Sequence, residues 1–206
     1  TGTTSYGPTA TLPTNVGTYH VKATLASDAN YNGAVSPDYA FTINTGSSTI
    51  TVTGLTTFTY SGSSQGPSTN TKTGSSGAVT YSYTGTGLTT YTSSATLPTE
   101  VGNYKAVATL ASDANYNGAV SPDFAFTINT GSSTITVTGL TSYSYNGLAQ
   151  GPNTNTKTGS SGAVTYSYSG TGTTTYSAST TAPTNIGTYK AVATLASDAN
   201  YNGAVS

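Results

Sequence analysis

Tyr104-Lys105-Ala106-Val107-Ala108-Thr109-Leu110 decides the fold class. Side chains of an extended chain alternate between two faces, so Tyr, Ala, Ala and Leu gather on one side and Lys, Val and Thr on the other. A period of two sustained over this stretch predicts a β-strand with one buried face. The matching stretch upstream puts Tyr19, Val21, Ala23 and Leu25 on the same face. The alternation returns in Ile50 and Val52, in Phe58 and Tyr60, in Val79, Tyr81 and Tyr83, and in Phe124, Phe126 and Ile128. Thr fills many of the intervening positions, which suits a pleated surface.

Between these runs stand Gly62, Gly66-Pro67, Gly74, Gly77, Gly85, Gly87, Pro98, Gly102, Asn117-Gly118 and Pro122. Such dense punctuation leaves no room for helices. Short strands with turn signals at this spacing predict an all-β fold, an antiparallel β-sandwich of the immunoglobulin type with no disulfide.

The pattern is written more than twice. Pro13, Pro98 and Pro183 fall 85 residues apart, as do Tyr19, Tyr104 and Tyr189. Residues 11–95 and 96–180 differ at 18 positions and agree at the other 67 of 85, so each unit is expected to adopt the same fold. Gly46-Ser47-Ser48 and Gly131-Ser132-Ser133 read as short joints. They divide the chain into 1–45, the C-terminal part of one repeat; 46–130, a complete repeat; and 131–206, a repeat without its last strand. Joints this short predict a semi-rigid string of domains, each roughly 30–40 Å long if its strands reach about ten residues.

Thr1 falls in mid-repeat and Ser206 corresponds to Ser36, so the sequence reads as an excerpt from a longer secreted polypeptide. The strand missing from 131–206 is the one that Phe124-Ala125-Phe126-Thr127-Ile128 supplies one repeat earlier. Continuation past Ser206 is the favoured source. The alternative is donation by a neighbouring subunit through Tyr39-Ala40-Phe41-Thr42-Ile43, which would bring along residues 1–36 and duplicate strands already present.

Composition narrows the function. Charged residues make up 5% of the chain, with five Lys, no Arg and a formal net charge of −1. Neutralising a phosphate backbone or an anionic membrane needs clustered cations, so neither nucleic acid nor a charged lipid surface is an expected partner. No apolar run is long enough to span a bilayer. With no Cys, neither a disulfide nor a thiolate metal site braces the fold. A surface of Ser, Thr, Gly and Asn carries little charge to hold neighbours apart, which favours self-association.

Differences between copies test the strand assignment. His20 becomes Lys105 and Lys190, and Lys22 becomes Val107 and Val192, all on the outward face. A Lys–Val exchange is tolerable only beside solvent or a partner, because an unpaired buried ammonium costs several kcal/mol. The inward face changes only where Val21 becomes Ala106.

Phe58-Thr59-Tyr60-Ser61-Gly62, Val79-Thr80-Tyr81-Ser82-Tyr83, Pro98-Thr99-Glu100-Val101-Gly102-Asn103-Tyr104, Asn115-Tyr116-Asn117-Gly118 and Phe124-Ala125-Phe126-Thr127-Ile128 follow one another in order. In this combination the chain resembles, over its whole length, the MBG family of mostly bacterial immunoglobulin-like repeats. The resemblance implies a sandwich fold within long secreted or surface-anchored bacterial proteins. It implies stalks or spacers, with no catalytic residues and no cofactor.

One motif has the spacing of a metal site. Asp28-Ala29-Asn30-Tyr31-Asn32-Gly33 recurs as Asp113 to Gly118 and Asp198 to Gly203. It matches the opening of a calcium loop, which would place Asp28, Asn30 and Asn32, Asp113, Asn115 and Asn117, and Asp198, Asn200 and Asn202 around the ion. The bidentate Glu that completes such a loop is replaced by Tyr39 or Phe124. The favoured reading is an Asx-stabilised hairpin turn with Asn-Gly at its tip and Tyr31 or Tyr116 folded back on the core.

Other chemistry finds no support. His20 is the only His and Glu100 the only Glu, so no repeated nucleophile has a base. A Lys–Asn isopeptide crosslink needs a buried Lys, whereas Lys72 and Lys157 fall in a polar Asn-Thr-Lys-Thr-Gly turn and Lys105 and Lys190 face outward. Tyr residues alternating with Thr or Ser read as core rather than as sugar platforms.

The expected role is therefore structural and non-enzymatic: an extracellular stalk, or a fibre subunit whose partners are neighbouring repeats and laterally associated copies. The alternative is an adhesive module that takes a glycan or a cell-surface ligand through exposed Tyr and Asn. Chelator is expected to leave the melting temperature unchanged, and a large downward shift in a thermal denaturation scan would restore the calcium loop.

Overall fold

The computed structural model describes residues 5–206; residues 1–4 of the expected first repeat lie outside the described residues. No described residue is helical. The first segment forms β1 (Gly17–Val21), β2 (Thr24–Leu25), β3 (Ala34–Val35) and β4 (Tyr39–Ile43). Then come β5 (Thr49–Thr53), β6 (Thr57–Thr59), β7 (Thr69–Thr73), β8 (Val79–Gly85), β9 (Gly102–Leu110), β10 (Ala119–Val120) and β11 (Phe124–Asn129). The last segment forms β12 (Thr134–Thr138), β13 (Thr154–Thr158), β14 (Val164–Gly170), β15 (Tyr189–Leu195) and β16 (Ala204–Val205).

The chain gathers into two compact units, and both cut across the middle repeat. Among the described residues the first holds 5–54, Pro67–Ser82 and Ala106–Phe124. Within it β1 pairs β4 antiparallel with Tyr19 opposite Phe41, and β5 pairs β7 with Val52 opposite Asn70. The second holds Leu55–Gly66, Tyr83–Lys105 and Ala125–Ser206. Here β12 pairs β13, β15 lies between β14 and β16, and β12 rests on β15 and β16. The strand order around β9 is β10-β9-β11-β6, with β8 also on β9.

The alternation read from the sequence is realised in β9. Tyr104, Ala106, Ala108 and Leu110 are buried, while Lys105 and Val107 are half-buried and Thr109 is exposed. Ile50 and Val52 of β5 are buried in the same unit as Ala106, Ala108 and Leu110. In the last segment Ile135, Ala193 and Leu195 form one cluster, with Val137, Val164, Tyr166 and Ala204 packed against it. Phe126 of β11 stacks on Tyr104 with ring centroids 5.4 Å apart, and Phe58 and Tyr83 meet it edge-on.

Three elements depart from expectation. Asn70-Thr71-Lys72-Thr73, read as a polar turn, belongs to strand β7, and Asn155-Thr156-Lys157-Thr158 belongs to β13. A strand with no apolar residue gives no hydrophobic period. Its backbone ladder to β5 is reinforced by hydroxyls, Thr49 Oγ1 lying 2.7 Å from Thr73 Oγ1 and Thr53 Oγ1 donating to Thr69 Oγ1 at 3.0 Å. Asn70, half-buried, donates to the Tyr81 hydroxyl at 2.7 Å. Second, β6 pairs β11 in parallel, with Phe58 opposite Ile128, whereas β1–β4, β5–β7, β12–β13 and β14–β15 are antiparallel. A parallel pair needs a long crossover, and 64 residues separate Thr59 from Phe124, so no local turn signal announces it. Third, in the first segment Val21 and Leu25 are 50% and 67% exposed although Tyr19 is buried. The strands that accompany their equivalents, β5, β7 and β8, have no counterpart there among the described residues.

Phe126→Ala is expected to destabilise the chain by about 3–5 kcal/mol, since it empties the space between three rings. Phe124→Ala, at a half-buried position, should cost clearly less; chemical denaturation measures both.

Candidate functional site

The recurring Asp-Ala-Asn-Tyr-Asn-Gly loops follow β2, β9 and β15, and each turns on its Asp. The Asp113 N–H donates to Tyr116 O at 3.0 Å, and Asp113 Oδ1 accepts the N–H groups of Asn115 and Tyr116 at 2.9 and 2.8 Å. Asp198 and Asp28 do the same with Asn200 and Tyr201 and with Asn30 and Tyr31. A carboxylate that satisfies N–H groups two and three residues on is an Asx turn. The tip is therefore Ala114-Asn115, one turn earlier than the expected Asn117-Gly118. Gly118 serves close approach instead: a Cβ there would lie 2.5 Å from Leu110 O.

The second carboxylate oxygen is also engaged. Asp113 Oδ2 accepts Ser76 N–H at 2.7 Å and Ser76 Oγ at 2.9 Å, and Asp198 Oδ2 accepts the same pair from Ser161. These donors, the Ser N–H first, hold the Asp113 and Asp198 carboxyls well below the usual carboxylate range. Asp28, bonded to Asn30 and Tyr31 N–H, is also lowered.

The Asn side chains point elsewhere. Asn115 Oδ1 accepts the Val16 N–H at 2.9 Å and its Nδ2 donates to Asn15 Oδ1 at 3.3 Å. One period later Asn200 Oδ1 accepts the Val101 N–H at 3.1 Å and its Nδ2 donates to Glu100 Oε2 at 2.6 Å. The backbone continues the contact, Gly46 N–H donating to Asn115 O at 2.8 Å and Asn117 N–H to Gly46 O at 2.9 Å. Gly131 pairs with Asn200 and Asn202 in the same way, and Thr130 Oγ1 donates to Asn202 Oδ1 at 3.0 Å.

The loop Tyr completes each joint. A Cβ on Gly46 would lie 2.7 Å from the Tyr116 ring, and one on Gly131 would lie 2.7 Å from Tyr201. Tyr201 also meets Tyr60 edge-on with ring centroids 5.1 Å apart. So Tyr116 and Tyr201 seat on the joint glycines, where the sequence placed Tyr116 against the core. In the first copy, Asp28 to Gly33, Tyr31 is 77% exposed.

Six of the nine candidate calcium ligands thus divide between two tasks. Asp28, Asp113 and Asp198 close turns, and the latter two also take Ser donors; Asn115, Asn200 and Asn202 take N–H and O–H donors from across the joint. Among the described residues no three His, Cys, Asp or Glu side chains cluster as a metal site would require. His20 is exposed on the outer face. Lys72 Nζ donates to Gly77 O and Lys157 Nζ to Gly162 O, both at 3.0 Å. The residues that sequence reasoning missed are Asn15, Val16, Glu100 and Val101, Ser76 and Ser161, and Tyr60. Ser76 and Ser161 lay inside a segment identical in both copies, but only the fold brings it beside the loop.

A family model described as MBG domain matches the chain three times, over residues 1–47, 48–130 and 133–206. Comparison with curated proteins and with solved structures gives no significant match.

A carboxyl whose folded pKa is depressed stabilises the fold above its unfolded pKa, about 3.9, and that contribution disappears as pH falls through the folded value. In an NMR acid titration Asp28, which lacks a Ser partner, should protonate first, with Asp113 and Asp198 following at lower pH. Ser76→Ala removes one of the Asp113 donors and should raise the Asp113 midpoint part of the way towards that of Asp28.

Proposed function

The chain belongs to the MBG domain family, and from that premise we propose that it is a structural tandem-repeat segment of a long bacterial extracellular protein, a stalk or a subunit of a self-associating surface fibre. On this reading 1–45, 46–130 and 131–206 are successive immunoglobulin-like sandwich repeats, and none of them is an enzyme.

The observation that supports it best is the use each loop makes of its polar groups. Asn115 and Asn200 bond the preceding repeat at Val16 and Val101, while Gly46 and Gly131 are held through both N–H and C=O. A Gly-Ser joint is ordinarily a flexible hinge. Here each is tied to the following repeat's loop by backbone bonds and covered by a Tyr ring. A load-bearing stalk needs joints that resist bending, and this arrangement supplies one at each boundary. The low charge of the surface favours lateral association of such segments.

A second reading, an adhesive module for a glycan or a surface protein, draws on Tyr31 and Tyr39, both more than two-thirds exposed in the first segment. Aromatic faces beside Asn30 and Asn32 have the chemistry to stack on a sugar ring.

Combining Asn115→Ala with Asn200→Ala removes side-chain bonds worth about 0.5–1.5 kcal/mol each. The double variant should keep the strand content of the parent by circular dichroism, while 15N relaxation shows repeats that tumble together in the parent moving independently. Unchanged relaxation would overturn the joint role. Saturable binding to a glycan array, lost on Tyr31→Ala, would favour the adhesive reading.

A further inference from the structure

Tyr60 and Tyr201 meet edge-on at the Gly131 joint, with ring centroids 5.1 Å apart and ring planes at 86°. Both lie in the second compact unit, although they come from successive repeats. Each ring is carried on a fixed backbone. The Tyr60 N–H donates to Asn129 O at 2.8 Å, just beyond β6. The Tyr201 N–H donates to Asp198 Oδ1 at 2.8 Å, its carbonyl accepts the Asp198 N–H at 3.0 Å, and its backbone bridges Gly131. A Cβ on Gly131 would lie 2.7 Å from the Tyr201 ring and 3.2 Å from Tyr60 O, so the joint glycine leaves no slack on either side. Both tyrosines are only half-buried, which keeps them reachable from solvent.

Three other Tyr pairs meet edge-on at similar separations. In Tyr6–Tyr19, Tyr91–Tyr104 and Tyr176–Tyr189 the ring centroids are 5.6, 5.8 and 5.7 Å apart. All six hydroxyls there donate to main-chain carbonyls four or five residues on or back, which pins each phenol at its outer end. Tyr19 and Tyr104 are also buried. Among the described residues the Tyr60 and Tyr201 hydroxyls make no such bond. Both positions are Tyr again one period away, at Tyr145 and Tyr116.

We propose that Tyr60 and Tyr201 form a modification site, the two halves of a dityrosine crosslink that closes the joint covalently. The oxidant is hydrogen peroxide, activated by a separate haem peroxidase. One peroxide takes an electron and a proton from each phenol and leaves as two waters. Spin in the resulting phenoxyl radicals resides on oxygen and on the ortho and para ring carbons. The para carbon carries Cβ, so the ortho carbons are the free ones. One ortho carbon of each ring joins the other in a new C–C bond, and the hydrogen on each moves to its phenol oxygen to restore the aromatic ring. The chain loses two hydrogen atoms in all. A small turn of either ring about its Cβ–Cγ bond brings the two ortho carbons together, and neither hydroxyl has a main-chain bond to break. At micromolar chain a pair held on one frame has an effective concentration of about millimolar or more, so coupling within a chain outruns coupling between chains. The inference goes beyond the structural role proposed above, since a stalk and an adhesive module would both contain this joint.

The test treats the 206-residue chain at micromolar concentration with hydrogen peroxide and a haem peroxidase, then isolates the monomer by gel filtration. The monomer should carry the blue fluorescence of dityrosine and an intact mass lower by two hydrogens. Tandem mass spectrometry of its peptides should join Tyr60 to Tyr201. Tyr60→Phe and Tyr201→Phe keep both rings and should each lower the monomer's dityrosine yield at least about tenfold, as expected when the held pair is lost. Tyr91→Phe should leave the yield unchanged. Circular dichroism checks the fold of each variant, and where one loses strand content the peptide map of the parent decides. A monomer without dityrosine, a crosslink mapped to another pair, or a yield that survives both substitutions at the joint would overturn the proposal. Dityrosine confined to dimers would overturn it too, because exposed tyrosines would then be meeting between chains.

Discussion

Two completely buried alanines on β9 set the geometry on which the middle repeat depends. Ala106 and Ala108 project almost nothing from the inner face, and Ile50 and Val52 of β5 are buried in the same compact unit. Tyr104 and Leu110, at the two ends of that face, are also buried, and Phe126 lies against Tyr104. The last segment repeats the small residue at Ala193, between Ile135 and Leu195. With no Cys and 5% charged residues, cohesion has to come from such close packing together with hydrogen bonds.

Beyond the backbone ladders, short polar side chains supply many of the hydrogen bonds. Thr hydroxyls pair across β5 and β7 and again across β12 and β13. Ser48 Oγ accepts from Ser75 N–H at 2.8 Å and donates to Asn117 O at 2.6 Å, while Ser75 Oγ donates to Ala111 O. Tyr hydroxyls close corners: Tyr19 donates to Asn15 O, Tyr104 to Glu100 O and Tyr189 to Asn185 O. Each such group loses little rotamer freedom on fixation, whereas a Lys or Glu held in an ion pair loses far more. The Lys22–Asp38 pair at 3.5 Å shows the contrast, since both side chains are about half exposed and a surface pair of that kind contributes little. A chain poor in charge is therefore not poor in specific polar contacts.

The strands with an apolar face were legible because a period of two is visible in the sequence itself; β9, β11, β8 and β5 all carry one. β7 and β13 were not, because their residues are polar on both faces and only the ladder to β5 and β12 makes them strands. The loops were legible as Asx turns, since an Asp that can reach the N–H groups two and three residues on is a local matter. Their second task was hidden. Asn115 reaches Val16 across 99 residues and Asn200 reaches Val101 across the same separation, and neither contact has a local signature. The calcium-like spacing has a related reading, because alternate oxygens along a loop look convergent in sequence while the fold sends Asp113 to Ser76 and Asn115 to Val16.

Near-identity of the copies separates what a residue is from where it stands. Thr-Leu-Ala-Ser-Asp-Ala-Asn-Tyr-Asn-Gly-Ala-Val occurs at 24–35, 109–120 and 194–205. Yet Leu25 is 67% exposed while Leu110 and Leu195 are 1% exposed. Tyr31 stands in solvent, Tyr116 seats on Gly46, and Tyr201 seats on Gly131 against Tyr60. Burial here is set by which strands and joints lie alongside, since the local sequence is the same. At one variable position of the joint, Asn15, Glu100 and Asn185, either an amide or a carboxylate oxygen can accept from the loop Asn, as Asn15 and Glu100 both do. The joint therefore requires an acceptor and not a charge, which is consistent with an array that has dispensed with most of its ionic groups.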